Sequence, residues 1–124
     1  MKIVESGITT PARPALAALK SFLAAPTWEK RLPWVQKPDT VKAAMERHYQ
    51  KYPDGPVNVG RIEFIERYRA RGGVPPYSMF EVEGGDLKHA IIVLVEEKSK
   101  TDLRVDWEAF AEFKDQLLWD FLNK

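Results

Sequence analysis

Two histidines, His48 and His89, are the only side chains in this sequence that titrate near neutral pH without perturbation. General acid–base catalysis would therefore need one of them, or a carboxylate with a shifted pKa. His48 lies at the edge of an apolar helical stripe, where a histidine is most often a hydrogen-bonded neighbour of the core. His89 shares a predicted strand face with apolar residues, which would direct its ring into any concavity of the sheet, although packing is favoured there too.

The sequence excludes most of the other motifs that could carry chemistry. No ligand spacing connects the two histidines, so the sequence predicts no metal site and no cofactor. The chain has no cysteine, which excludes disulfides, thiolate sites and cysteine nucleophiles. Glycine-rich phosphate loops and nucleophile elbows are absent from it as well. Carboxylates two residues apart, such as Glu81 with Glu83 and Asp106 with Glu108, are better explained by a solvated strand face and by helix capping than by glycosidase chemistry.

A strip of alternating arginines with interleaved aromatic residues is the feature nearest to a nucleic-acid-binding surface. Its members are Arg61, Phe64, Arg67, Tyr68, Arg69 and Arg71. The arginines would share one strand face, but Glu63 would share it too. The chain has 19 basic and 18 acidic residues, so it lacks the strong positive field of a nucleic-acid binder. We therefore predict no nucleic-acid partner.

Aromatic side chains are abundant, with four Trp and four Tyr in 124 residues. Several occupy predicted core-facing positions, where large amphipathic rings can build an apolar pocket with a few polar groups. The same rings also build ordinary cores, and that alternative stays open. The candidate ligand-binding residues are Trp34, Tyr49, Tyr52, Tyr77, His89 and Trp107.

The elements that would position these residues begin with helices. Residues 1–10 show no clear periodicity and are predicted to form an arm ahead of a single domain over residues 11–124. A first helix is predicted to run to about Ala25. A short second helix should follow the N-cap Thr27, and a third should follow the N-cap Asp39 and end at a proline- and glycine-rich turn.

After this turn the pattern changes to period two, which predicts about four antiparallel strands. The predicted strands cover residues 57–69, 77–83, 87–96 and 103–105, with a tight hairpin turn over residues 84–86. The third is apolar on both faces and should be central. Asp106 is expected to cap a last helix that runs almost to the C-terminus. The predicted fold is α+β, with N-terminal helices packed on a curved antiparallel sheet and a C-terminal helix.

The longest apolar run, residues 90–95, is far shorter than the ~20 residues that a membrane-spanning helix needs. The N-terminus also lacks the apolar region of a signal peptide. We therefore expect a soluble chain, cytoplasmic by default, or periplasmic if a signal or anchor has been removed.

Two blocks, FLAAPTWEKRL at residues 22–32 and VDWEAF at residues 105–110, are similar to uncharacterised bacterial proteins of planctomycetes and verrucomicrobia. Those proteins continue with further strand-forming sequence, so the resemblance implies a shortened relative or part of a longer chain. The order of helices and curved sheet also resembles the nuclear-transport-factor-2-like superfamily, a cystatin-like cone that includes isomerases, dehydratases and binding domains. No enzyme motif of that superfamily matches, so the resemblance implies a fold and not a reaction.

The sequence favours a non-enzymatic module. It would bind a small apolar ligand or another protein through an aromatic-lined concavity or through the apolar C-terminal helix. The alternative is a small cone-type isomerase or hydrolase, in which His89 or Asp106 is the base. Tyr49 or Tyr77 would then donate a hydrogen bond to an oxyanion.

A homodimer is also predicted, through the C-terminal helix or through an open edge strand. Phe113 and Trp119 fall outside the core-facing side of that helix, and pairing about a two-fold axis would bury them. The alternative is that both rings pack over loops of the same chain.

Overall fold

The computed structural model describes residues 3–69, 72–73 and 75–115 and confirms the α+β class. Within these ranges helices α1 to α4 span Arg13–Ala24, Trp28–Arg31, Pro38–Lys51 and Trp107–Asp115. Strands β1 to β5 span Val4–Ser6, Arg61–Tyr68, Tyr77–Glu83, Ile91–Glu97 and Leu103–Val105. None of the helices in this part of the chain is long and apolar enough to cross a membrane.

The strands lie side by side in chain order in one open sheet. Strands β2 to β5 form the predicted antiparallel meander, whereas β1 pairs with β2 in parallel. The sheet is therefore mixed and has five strands instead of about four. The extra strand comes from the segment predicted to be an arm, where Val4 N donates to Gly60 O at 2.9 Å. Three residues are too few to show a period-two pattern, which is why the sequence did not reveal it.

Two of the three predicted helix N-caps are confirmed, and one was wrong. Thr27 Oγ1 accepts from Lys30 N at 3.4 Å, so the predicted N-cap of α2 is confirmed. Asp106 Oδ1 likewise accepts from Ala109 N at 3.2 Å and caps α4. The predicted cap of α3 was wrong, because that helix starts at Pro38 and Lys37 precedes it in a left-handed conformation (φ 47°). Proline suits a first helical position, since its fixed φ is helical and its missing N–H would be unsatisfied there.

The sheet has an inner face, which packs against the helices, and an outer face on the opposite side. Alternate residues of each strand point to the inner face, where they join the buried stripe of α1 and side chains from α3 and α4. The main inner-face residues are Ile62, Phe80, Val82, Ile91, Val93, Val95 and Val105. Burying each large apolar side chain contributes about 1.5–3 kcal/mol, so this layer is the main source of stability. Strand β4 lies inside the sheet, between β3 and β5, and is apolar on both faces as predicted.

The predicted tight hairpin between β3 and β4 was wrong, because the connection is longer and β4 begins only at Ile91. The loop is held against the segment before β2. Asp86 N donates to Asn58 O at 2.7 Å, and the Asp86 carboxylate accepts from Asn58 N at 2.8 Å. Gly85 has φ +61°, and a Cβ there would lie 2.2 Å from Asn58 O, so only glycine fits this approach.

Candidate functional site

Helices α3 and α4 bring three of the predicted site residues together. Tyr49 follows Met45 by one turn on α3, Tyr52 comes directly after the end of that helix, and the buried Met45 anchors this side of the helix in the core. Trp107 is the first residue of α4, placed by the Asp106 cap. These three rings surround His48, which the sequence favoured only as a neighbour of the core. We call His48, Tyr49, Tyr52 and Trp107 the aromatic cluster.

The rings of the aromatic cluster have defined relative orientations. His48 stacks on Tyr52 with ring centroids 4.6 Å apart and an angle of 16° between the planes. It meets Tyr49 and Trp107 edge to face, at 4.8 Å and 5.4 Å. Trp107 Nε1 donates to the Tyr49 hydroxyl at 3.0 Å. Ring contacts of these kinds favour particular orientations and add stability beyond that of apolar burial, so the cluster is preorganised.

The imidazole of His48 is paired with a carboxylate. His48 Nε2 lies 2.6 Å from Asp115 Oδ2, and the two side chains are only 6% and 8% exposed. Burial opposes ionisation of Asp115, but hydrogen bonds from His48 and Lys114 and the charge of Lys114 outweigh it and lower the pKa of the carboxyl group. The ionised carboxylate therefore accepts a hydrogen bond from Nε2–H, and in that tautomer of the neutral imidazole the free lone pair lies on Nδ1. Asp115 carried no signal in the sequence, because it faces His48 only after α3 and α4 pack together.

A buried arginine supports the aromatic cluster from the core side. Arg31 is 1% exposed, and its guanidinium group lies 5.6 Å from the Tyr49 ring centroid. Its Nε donates to Phe22 O at 3.1 Å and its Nη2 donates to Gly55 O. Burial raises the pKa of Tyr49, although the Trp107 hydrogen bond and the Arg31 charge oppose the shift, so the phenol stays neutral at physiological pH. No pattern in the sequence predicted that this arginine would lie in the core.

The aromatic cluster forms part of a groove between α3 and α4 with a volume of about 470 Å³. We call it the helix groove. Basic side chains of α3, Arg47 and Lys51, line it together with acidic side chains of α4, Glu108 and Glu112. The remaining lining residues are Ala44, His48, Tyr52, Trp107 and Ala111. The volume falls within the usual range for small-molecule sites.

The other three predicted site residues lie elsewhere. Trp34 ends a 3₁₀ turn and packs against the core. Tyr77 lies on the sheet, where its hydroxyl accepts from Gln36 Nε2 at 3.0 Å and donates to Glu96 at 3.3 Å. Burial raises the pKa of Tyr77, and the Glu96 carboxylate adds to the rise, although the hydrogen bond from Gln36 opposes it. His89 is exposed in the loop before β4, not on a strand face.

The arginine strip is divided by a β-bulge in β2. The bulge lies between Phe64 and Glu66, so residues of odd number do not all share one face. Arg61 pairs with two glutamates, whereas Arg67 lies opposite the buried Ser78 and pairs with Glu97. The expectation of a single arginine face was therefore wrong. Arg71 lies outside the described residues.

Metal-binding chemistry finds no support in the described ranges, where no group of three or more histidine and carboxylate side chains could hold a metal ion. The buried polar side-chain atoms of these ranges all have hydrogen-bond partners. The helix groove is therefore a site defined by ring contacts and charged walls.

The two resemblances drawn from the sequence stay predictions. Comparison of the chain with protein-family models, with curated proteins and with solved structures found no match.

Proposed function

We propose that this protein is a non-enzymatic binding module whose helix groove holds a small, mainly apolar ligand with a planar ring. The observation that carries the proposal is the aromatic cluster, in which the stacked His48–Tyr52 pair and Trp107 line a groove of about 470 Å³. The rings are fixed by contacts to one another, so little ordering would be needed on binding.

The charged walls define the polar end of the ligand. Arg47 and Lys51 can pair with a carboxylate, and Glu108 and Glu112 can pair with an ammonium group. A ligand with a planar apolar body and one or both of these groups would match the groove. Such ligands bind with their apolar body desolvated and their charged end near solvent, where pairing gives orientation more than affinity.

A panel of planar aromatic compounds with a carboxylate, an ammonium group, both or neither tests this proposal by chemical-shift mapping on the labelled protein. We expect shifts of the α3 and α4 amides for at least one charged member. Ala44→Gln should fill the groove and abolish these shifts, whereas the matched variant Ala43→Gln, one residue away and exposed on the same helix, should keep them. Absence of binding by the whole panel at millimolar concentration would remove the proposal.

A second candidate function follows from the His48–Asp115 pair. A histidine held by a carboxylate and lining a groove is the arrangement used for general base catalysis in isomerases and hydrolases. His48 would take the role that the sequence offered to His89 or Asp106. His48→Gln should abolish turnover of any activated ester or acidic ketone that the protein converts, and Asp115→Asn should lower the rate and change its pH profile. Unchanged rates in both variants would exclude this function.

The predicted homodimer is a further proposal of the same kind. Phe113 on α4 is 48% exposed, as expected for an aromatic ring that would be buried by a second copy of the chain. Trp119 lies outside the described residues. Light scattering at increasing protein concentration tests the dimer, and Phe113→Ser should lower the mass of any dimer to that of the monomer. A constant monomer mass for the unaltered protein would exclude it.

A further inference from the structure

The outer face of the sheet carries an apolar cluster at its centre. On β4, Ile92 and Leu94 point to this face, and on β3, Tyr77 and Met79 do so. Met79 lies directly opposite Leu94 in the register of the two strands. All four are partly exposed, and none belongs to the core or to the apolar side chains packed against it. We call these four residues the outer cluster.

This composition differs from an ordinary solvated sheet face. An antiparallel sheet with one face in water normally alternates apolar residues inward with polar residues outward. Strand β4 departs from that pattern, because Ile92 and Leu94 occupy outward positions while Ile91 and Val93 fill inward ones. Clustered apolar side chains with a polar rim are characteristic of surfaces that meet a partner.

The rim around the outer cluster is strongly acidic. Five glutamates share this face, and only two arginines accompany them. The glutamates that form the rim are Glu63, Glu66, Glu81 and Glu83, the fifth, Glu96, is buried and accepts a hydrogen bond from Tyr77, and the arginines are Arg61 and Arg104. Both arginines are already engaged, Arg61 with two of these glutamates and Arg104 with Asp102 and backbone carbonyls.

One contact in this rim is costly to the isolated chain. Glu63 on β2 lies directly opposite Glu81 on β3. Like charges directly across a strand pair destabilise a sheet, so the folded protein carries repulsion here that the ion pair of Arg61 with Glu63 relieves in part. A bound cation would remove that repulsion, which makes positive charge the matching property of a partner.

We propose that the outer face is a docking surface for a cationic, amphipathic segment of another protein, whose apolar residues cover the outer cluster and whose Lys or Arg residues meet the glutamate rim. A second copy of this chain fits less well, because contact between two such faces would bring their carboxylates together, and like charges repel. Nucleic acid fits less well for the same reason, since its phosphates would meet the glutamates. The surface is separate from the helix groove, which lies on the other side of the sheet.

A synthetic helix-forming peptide of Leu and Lys, with a counterpart in which Glu replaces every Lys, serves as the probe. We expect the Lys peptide alone to shift the amides around the outer cluster in β3 and β4. Reversal of two rim charges, Glu81→Lys with Glu83→Lys, should weaken its binding about tenfold or more. The matched reversal of two exposed glutamates away from this face, Glu29→Lys with Glu46→Lys, changes net charge equally and should weaken binding less than about threefold.

The apolar part of the surface needs its own variant. Leu94→Thr introduces a β-branched residue, which suits a strand, and should also weaken binding about tenfold, with Ile92→Thr as a substitute if the first variant loses its dispersed amide spectrum. The proposal would be overturned if the two charge reversals weakened binding equally or if the amide shifts lay outside the outer face. Binding that is unchanged in both threonine variants would overturn it as well. Self-association of the free protein that is lost in Leu94→Thr would overturn it too, because the occupant would then be a second copy.

Discussion

Strand β4 sends apolar residues of similar size to two different environments. Ile91, Val93 and Val95 on the inner face are no more than 3% exposed and belong to one continuous core with the helices. Ile92 and Leu94 on the outer face are partly exposed and lie among glutamates. The contrast separates two uses of apolar side chains in one strand. On the inner face they provide stability, and on the outer face they are available for contact with another molecule.

Truncation of neighbouring residues on β3 should give the largest difference between the faces. Phe80→Ala on the inner face should cost about 3–5 kcal/mol, because Phe80 is fully buried and its removal leaves a cavity. Met79→Ala on the outer face should cost less than about 1 kcal/mol, since its side chain is only partly desolvated. Urea unfolding measures both free energies. Similar losses would mean that the outer cluster is part of the stabilising core.

Two arginines provide the next comparison. Arg31→Lys on the helix side should destabilise by about 3 kcal/mol, because lysine cannot keep the hydrogen bonds to Phe22 O and Gly55 O in a buried site. Arg61→Lys on the outer face should cost less than about 1 kcal/mol, since its side chain is 40% exposed and its ion pairs are screened by water. The same unfolding experiment decides, and a small effect at Arg31 would contradict its role as the support of the aromatic cluster.

A pH series tests the carboxylate on the helix side. The pKa of Asp115 is lowered in the folded protein, so its stabilising contribution is present above the unfolded pKa, near 3.8, and is lost as pH falls through the lower folded value. Asp115→Asn should therefore cost about 1 kcal/mol at neutral pH and progressively less in acid below about pH 4. Unfolding free energies of both proteins from pH 7 to the acid limit measure this. A difference that stays constant with pH would show that the His48 contact does not depend on the charge.

The smallest expected effect has the opposite sign. Glu81→Gln on the outer face should stabilise the protein by about 0.5 kcal/mol, because it removes the repulsion with Glu63 across the strands. The same variant should weaken binding of the cationic peptide. A loss of stability would indicate that the glutamate rim is a structural network and not a surface kept for a partner.

The sequence predicted what depends on local spacing. The stripe of α1, the cap residues Thr27 and Asp106, and the two-sided apolar character of β4 all follow from periods of 3.6 or 2 and from nearby hydrogen bonds. The aromatic candidates Tyr49 and Tyr52 also came from helical spacing on one element. Their placement beside Trp107 needed the packing of α3 on α4.

The features that the sequence missed depend on contacts between distant residues or on a single irregular one. The bulge after Phe64 reverses the faces of the later arginines, and no composition rule locates a single extra residue. His89 was expected in a strand. The two hydrogen bonds between Asp86 and Asn58 hold the loop after β3 against the segment before β2, and β4 begins only after His89. Arg31 and Asp115 acquire their partners only when separate helices meet.

The parallel pairing of β1 has a consequence for the order of folding. The pairing of Val4 with Arg61 closes a loop that contains most of the first half of the chain, whereas each of the strands β2 to β4 pairs with the next strand along the chain. Closing that long loop costs chain entropy that three residue pairs repay only weakly, so β1 should dock after the meander has formed. By the same balance it should detach first, exposing the β2 edge well below the global unfolding transition. Amide hydrogen exchange would show this as faster exchange in β1 than in β3, which lies in the middle of the sheet.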